Sequence, residues 1–281
     1  MILFKRADAL SEYLQKQRSR SNRIGFVPTM GALHDGHLEL VQQSLKEDLL
    51  TVCSIFVNPT QFNNATDFEK YPKTIADDIA KLEAAGTDIL FIPGVSDIYP
   101  NGTSGLERFD LGYLETILEG SSRPGHFQGV CQVMSRLITI VNPHLLFMGQ
   151  KDYQQCMVVS RLISIMNHPV KLITAPTVRQ ADGLAMSSRN RRLTDSGRTT
   201  ATSIFQAMTT IRNNIKPGSL LPLIAKAEKH LTSRGFTVDY IEIATANDLK
   251  ITHEWDGKTS LVCLVAAFLE EVRLIDNMVI S

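Results

Sequence analysis

Short β-rich runs and helical patterns take turns through the first two thirds of this chain, and that alternation limits the folds open to it more than any other feature. The β-rich runs are residues 23–28, 49–57, 88–92, 144–148 and 170–174. Between them, residues 37–46 place Leu38, Val41 and Leu45 at a spacing of three and four, which makes one helix face. Residues 76–85 behave similarly, and the mostly apolar segment 130–141 has the length of a helix. Strands separated by helices predict an α/β fold, a Rossmann-like doubly wound parallel sheet covered on both faces. After Arg192 the texture changes to a polar stretch, then helical patterns at 200–213 and 220–233 and strand patterns at 238–243 and 261–267. This predicts a smaller C-terminal α+β domain. Pro176 breaks the strand before it, so the expected domains are residues 1–175 and 176–281.

Composition excludes several classes of function. Lysine plus arginine and aspartate plus glutamate both count 29, so no global field draws the chain to nucleic acid or to an anionic membrane. Any anionic ligand must be held locally. Cys53, Cys131, Cys156 and Cys263 lie far apart, mostly within apolar runs and without the close pairs of a zinc or redox motif, and read as reduced core thiols. Met1 to Leu14 carries Lys5, Arg6, Asp8 and Glu12 and lacks the hydrophobic stretch of a secretory signal. The apolar run 261–269 is far short of the roughly 20 residues that span a bilayer. A cytoplasmic address is the expectation. Internal repeats are absent, as is the glycine-rich dinucleotide fingerprint after the first strand.

Four segments carry chemistry. The first, Pro28-Thr-Met30-Gly31-Ala-Leu-His34-Asp35-Gly36-His37, links a strand to an amphipathic helix, where open α/β sheets bind ligands. Gly31 and Gly36 let a ligand approach the main chain, and the helix N-terminus favours negative charge. His34 and His37, three apart, share a face and could donate to a triphosphate; they could equally cap the helix, or form a metal pair with no evident third ligand. The second segment is Phe56-Val-Asn58-Pro-Thr-Gln61-Phe-Asn63, a polar turn or an amide site for a hydroxylated carboxylate. In the third, Phe147-Met-Gly149-Gln-Lys151-Asp152-Tyr-Gln-Gln155, Lys151 suits phosphate and Asp152 suits ribose hydroxyls, or the two merely begin a helix. The fourth, Pro176 to Asn190, sets Ser187 and Ser188 beside Arg189, a clamp for polyphosphate or a solvated basic linker.

His34, Asp35, Gly36 and His37 fit the two-histidine signature of the nucleotidylyltransferase superfamily, and the run 28–41 closely resembles the pantothenate synthetase family within it. The other three segments agree, as does His126 to Gly129, and the resemblance extends over essentially the whole chain. It implies ATP-dependent condensation of pantoate with β-alanine through a pantoyl adenylate, releasing AMP and pyrophosphate. It assigns Met30, His34, His37, Gly149, Lys151, Asp152, Val178, Met186, Ser187, Ser188 and Arg189 to ATP, with His34, His37 and Lys151 in catalysis. Asn58, Gln61 and Gln155 are assigned to pantoate. Asp77 and Asp78 are implied magnesium ligands, although Lys81 stands where some members have a glutamine that joins them. Residues 1–175 become the nucleotide- and pantoate-binding domain and 176–281 a lid domain carrying the Ser-Ser-Arg loop. The family is typically homodimeric.

A carboxylate already attacks phosphorus as an anion, so the first step needs positioning and charge neutralisation more than a general base. An acyl adenylate hydrolyses readily, so residues 61–72 and 183–192 are candidate lids. Competing readings are another adenylyl transferase of the superfamily and a non-catalytic nucleotide-binding module. Gln61 and Gln155 speak against a phosphorylated acceptor, which would call for cations at those places.

Overall fold

A computed structural model describes residues 1–62, 68–69 and 71–281. The chain parts into two compact units, Met1–Gly149 with Gln154–Pro176, and Gln150–Tyr153 with Thr177–Ser281. The short piece Gln150–Tyr153 groups with the C-terminal unit although it lies far from it in sequence, which a single boundary near residue 175 does not contain.

In the first unit the main elements run β1 (Ile2–Phe4), α1 (Ala7–Ser19), β2 (Ile24–Thr29), α2 (Asp35–Lys46), β3 (Leu50–Ile55), α3 (Ile75–Ala84), β4 (Ile89–Phe91), α4 (His126–Val141), β5 (Leu145–Gly149), α5 (Tyr153–Ile165, whose first residue groups with the second unit) and β6 (Lys171–Ala175). The six strands form one sheet in the order β1-β4-β3-β2-β5-β6, and every pairing is parallel. Strands covered on both faces should be apolar throughout rather than alternating. Ile24, Phe26 and Val27 of β2 and Val52 and Cys53 of β3 are accordingly fully buried. From β2 the chain winds outward through β3 and β4, then returns to the other side of β2 for β5 and β6. The reversal makes the carboxyl ends of β2 and β5 the switch point, the place where such sheets leave a crevice for ligands.

The second unit contains α6 (Asp195–Ala201), α7 (Ser203–Asn214), β7 (Gly218–Ser219), α8 (Leu221–Thr232), β8 (Thr237–Thr245), β9 (Glu254–Trp255), β10 (Leu261–Leu269) and β11 (Val272–Val279). Strands β11-β10-β8 form an antiparallel sheet, and β7 pairs with β9. Ile204, Met208 and Ile211 of α7 and Leu231 of α8 pack with Ile243, Cys263 and Val265 to make its core. The helix expected over 200–213 is two helices meeting at Thr202, whose hydroxyl bonds back to the Thr199 carbonyl at 2.8 Å. β11 has no counterpart in the sequence reading. Its apolar alternation is interrupted by Asp276 and Asn277, a pair with the look of a turn, yet both are buried.

Candidate active site

In the first unit, the segment after β2 turns through Gly31 and Ala32, both with positive φ, of 83° and 50°. Asp78 of α3 makes this turn possible. Its Oδ2 accepts from the Ala32 N–H at 2.9 Å and its Oδ1 from the Leu33 N–H at 2.8 Å, while the Thr74 hydroxyl donates to Oδ2 at 3.1 Å. Lys81, one turn further along α3, donates to the Leu33 carbonyl at 2.7 Å. The turn delivers the chain to His34, the residue that starts α2 with extended backbone. His34 and His37 stack with ring centroids 4.1 Å apart at 30°, so the two imidazoles do share one face. The His34 N–H points to His37 Nδ1 at 3.4 Å. Accepting there leaves His37 its ring proton on Nε2. Helix capping and donation to a ligand are thus compatible in one residue.

Asn58 begins a short 3-10 turn, Pro59–Gln61. Its Oδ1 accepts from the Tyr99 hydroxyl at 2.8 Å, and its Nδ2 donates to the Gly129 carbonyl at 3.1 Å and to Gln61 Oε1 at 3.0 Å. Gln61 Nε2 in turn donates to the Met30 sulfur at 3.1 Å, which joins the second segment to the first. His126, at the start of α4, meets the Gln61 carbonyl through Nδ1 at 2.8 Å and the Arg123 guanidinium through Nε2 at 3.1 Å. A carbonyl only accepts, so this bond places the His126 proton on Nδ1. Asn63 and part of the 61–72 stretch lie outside the described residues. At the end of β5 an added Cβ on Gly149 would meet nothing within 4 Å, so the protein itself leaves room beside that backbone. Gln155 is half-buried on α5, whereas its neighbour Gln154 is buried and holds the Leu114 and Ile117 carbonyls, each at 2.9 Å.

In the second unit Lys151 is half-buried and Asp152 exposed, on a 3-10 turn spanning Gln150–Asp152. Residues 178–186 fold back on themselves: Met186 N–H donates to Val178 O at 3.0 Å and Gln180 N–H to Leu184 O at 2.9 Å. Gly183 turns the corner with φ of 90° against the Phe205 ring, where a Cβ would stand 2.2 Å from a ring carbon. Ser187 then caps a second 3-10 turn, Ser188–Arg192, its hydroxyl accepting from the Arg189 N–H at 3.3 Å. Lys151, Ser187 and Arg189 line one cavity with Asn190, Arg273 and Asp276. Arg179 forks onto Asp276 at 2.6 and 3.0 Å and lies 4.7 Å over the Phe205 ring. Burial pushes the Asp276 carboxyl up from its ordinary value, and Arg179 pulls it back.

The magnesium assignment meets different geometry at each acid. Asp77 is exposed, but Asp78 is fully buried with both oxygens committed to main-chain N–H groups, so the pair does not fit a cation. Among the described residues no three His, Cys, Asp or Glu side chains gather as a metal site. The cysteines are buried thiols, Cys53 and Cys131 pushed up by desolvation to about 12 and Cys263 also raised, and none is poised as a nucleophile. Sequence reasoning missed Tyr99, Arg123, Asp276 and Asn277 as parts of these sites. Only Arg123, which opens the stretch 123–130 around the matching His126 to Gly129, carried any signal.

The paired-histidine helix start thus lies at the switch point of the parallel sheet, where such sheets leave a ligand crevice. The family model described as pantoate-beta-alanine ligase matches residues 2–279. A pantothenate synthetase of Cytophaga hutchinsonii is 42% identical over 283 residues, covering 100% of this chain and 99% of that protein. Another, from Pseudomonas fluorescens strain Pf0-1, is 44% identical over 265 residues, 94% of this chain and 92% of its own length. The crystal structure of pantothenate synthetase from Thermus thermophilus superposes with a TM-score of 0.91 at 37% identity, covering 100% of this chain and 99% of that one. Francisella tularensis pantoate-beta-alanine ligase, solved with beta-gamma ATP and beta-alanine, gives a TM-score of 0.82 at 35% identity, with 99% and 97% covered. The chain belongs to the pantoate-beta-alanine ligase family, enzymes that form a C–N bond.

Proposed function

We propose that this ligase runs its two half-reactions on the residues described above. The pantoate carboxylate attacks the α-phosphorus of ATP and pyrophosphate departs; the free amine of β-alanine then attacks the acyl carbon of the adenylate and AMP departs. Pantothenate, AMP and pyrophosphate are the products, and no covalent bond to the enzyme forms. His34 and His37 donate to the phosphates as charge develops, and Lys151, Ser187, Ser188 and Arg189 neutralise and orient the leaving pyrophosphate. Met30, Gly149, Asp152, Val178 and Met186 complete the nucleotide contacts. Asn58, Gln61 and Gln155 hold pantoate. Magnesium would enter with ATP as part of the substrate and neutralise phosphate charge there. Asp78 shapes the turn before His34. Residues 1–175 bind nucleotide and pantoate and the C-terminal domain serves as the lid; the protein works in the cytoplasm as a homodimer, which sedimentation would report as twice the chain mass.

The observation that carries this reading is the stacked His34–His37 pair at the switch point. No helix among the described residues is long and apolar enough to cross a membrane. The test is pyrophosphate release from ATP and magnesium with pantoate alone, followed by AMP and pantothenate formation when β-alanine is added. H37A and K151A should each slow the first step by about 100-fold or more without unfolding the protein. Near-normal release by both would remove these role assignments.

A further inference from the structure

We infer that Asn277 is a positioning residue for Lys151, with Asp276 beside it tying the same strand to the Ser187 hairpin. The inference rests on the reading of Lys151 as a phosphate contact and deepens it.

Lys151 sits on a 3-10 turn of three residues that runs directly into α5. Asn277 fixes that turn from β11. Its Nδ2 donates to the Gln150 carbonyl at 2.9 Å and to the Lys151 carbonyl at 2.8 Å, which uses both amide protons, and its Oδ1 accepts from Gln150 Nε2 at 3.4 Å. The side chain is buried, at 2% exposure, so these bonds face little competition from water. Tyr153 anchors the other end of the piece, its hydroxyl donating to the Ala246 carbonyl at 2.6 Å.

Successive side chains leave a strand on opposite faces, and β11 uses both. Asp276 accepts from the Arg179 guanidinium, and Arg179 also donates to the Gly183 carbonyl at 3.1 Å and to the Asn277 carbonyl at 3.1 Å. Gly183 is the corner of the hairpin that leads to Ser187. Two adjacent residues therefore hold the lysine turn and the serine hairpin in one frame around the cavity that Lys151, Ser187 and Arg189 line. The chemistry requires an amide at 277. A carboxylate of the same shape would replace the two N–H donors with one acceptor oxygen facing both carbonyl oxygens.

The test compares N277D and N277A in the native chain and in a K151A background, with pantoate-dependent pyrophosphate release and thermal melting as readouts. In the native chain both variants should lose about 100-fold in rate while retaining a cooperative melt. In the K151A background the same changes should cost less than about 2-fold, because the group being positioned is gone. Equal losses in both backgrounds, retention of rate in the native chain, or loss of the cooperative melt in both variants would overturn the inference, since Asn277 would then serve the fold alone. K151A at full rate would instead sink the reading of Lys151 itself.

Discussion

Asp78 illustrates how little an isolated residue discloses. Side by side at the start of α3, Asp77 and Asp78 look alike in sequence, yet one is exposed and the other receives two main-chain N–H groups. A carboxylate that shapes a loop and one that binds a cation present the same letters. Only the partner atoms separate them, and those come from residues 32 and 33, far away in sequence. D78N would turn an NH2 group toward one of those N–H donors, at a cost of about 1–3 kcal/mol in stability. It should slow adenylation while leaving the magnesium concentration for half-maximal rate unchanged; a large rise in that concentration would return Asp78 to the metal. His34 and His37 were more legible, because three-residue spacing at a helix start forces shared facing whatever else the chain does. Asn277 was illegible for the opposite reason: a buried asparagine is recognisable only once the carbonyls it serves have been placed.

Among the elements, α4 and the Pro59–Gln61 turn pack so closely that a Cβ on Gly129 would fall 2.2 Å from the Thr60 carbonyl oxygen. G129A must push that turn aside, and with it the amide of Gln61. The expected result is a pantoate KM raised about 10-fold or more with the ATP KM little changed, since a small displacement of a contacting group is costly. Equal effects on both KM values would detach the turn from pantoate. A different kind of element control lies between β9 and β10. Asp256 accepts from the Lys258 and Thr259 N–H groups, both at 2.8 Å, and from the Thr259 hydroxyl at 2.8 Å. Those bonds lower its carboxyl pKa to about 2. A depressed acid supports the fold above its unfolded value near 4 and loses that support as pH falls through its folded value. Carboxyl NMR should therefore find Asp256 still ionised at pH 3, and a midpoint near 4 would mean the turn is open in solution. Strands β2 to β6 of the first unit could be read from the sequence as short β-rich runs, whereas the helix α1 was not read. β1 could not, being three residues at a sheet edge with Ile2 and Leu3 exposed.

For the molecule as a whole, alternation in the sequence carried the parallel sheet, and once β3 and β4 lie on one side of β2 the other side is left for β5. What alternation could not carry was the path between units: the chain leaves the first unit after Gly149, re-enters it at Gln154 and leaves again after Pro176. Unfolding the C-terminal unit must release Gln150–Tyr153 from between β5 and α5 in the chain. Urea titration followed by fluorescence of Trp255, the one tryptophan, should therefore coincide with loss of amide-exchange protection in β2 and β3. Separated midpoints would show that the units unfold independently. The same threading restricts how relatives of this ligase can be recombined. A chimera cut only after Pro176 would set the 150–153 tetrapeptide of one parent against the Asn277 and Ala246 of the other, so an exchangeable C-terminal cassette has to bring those four residues with it.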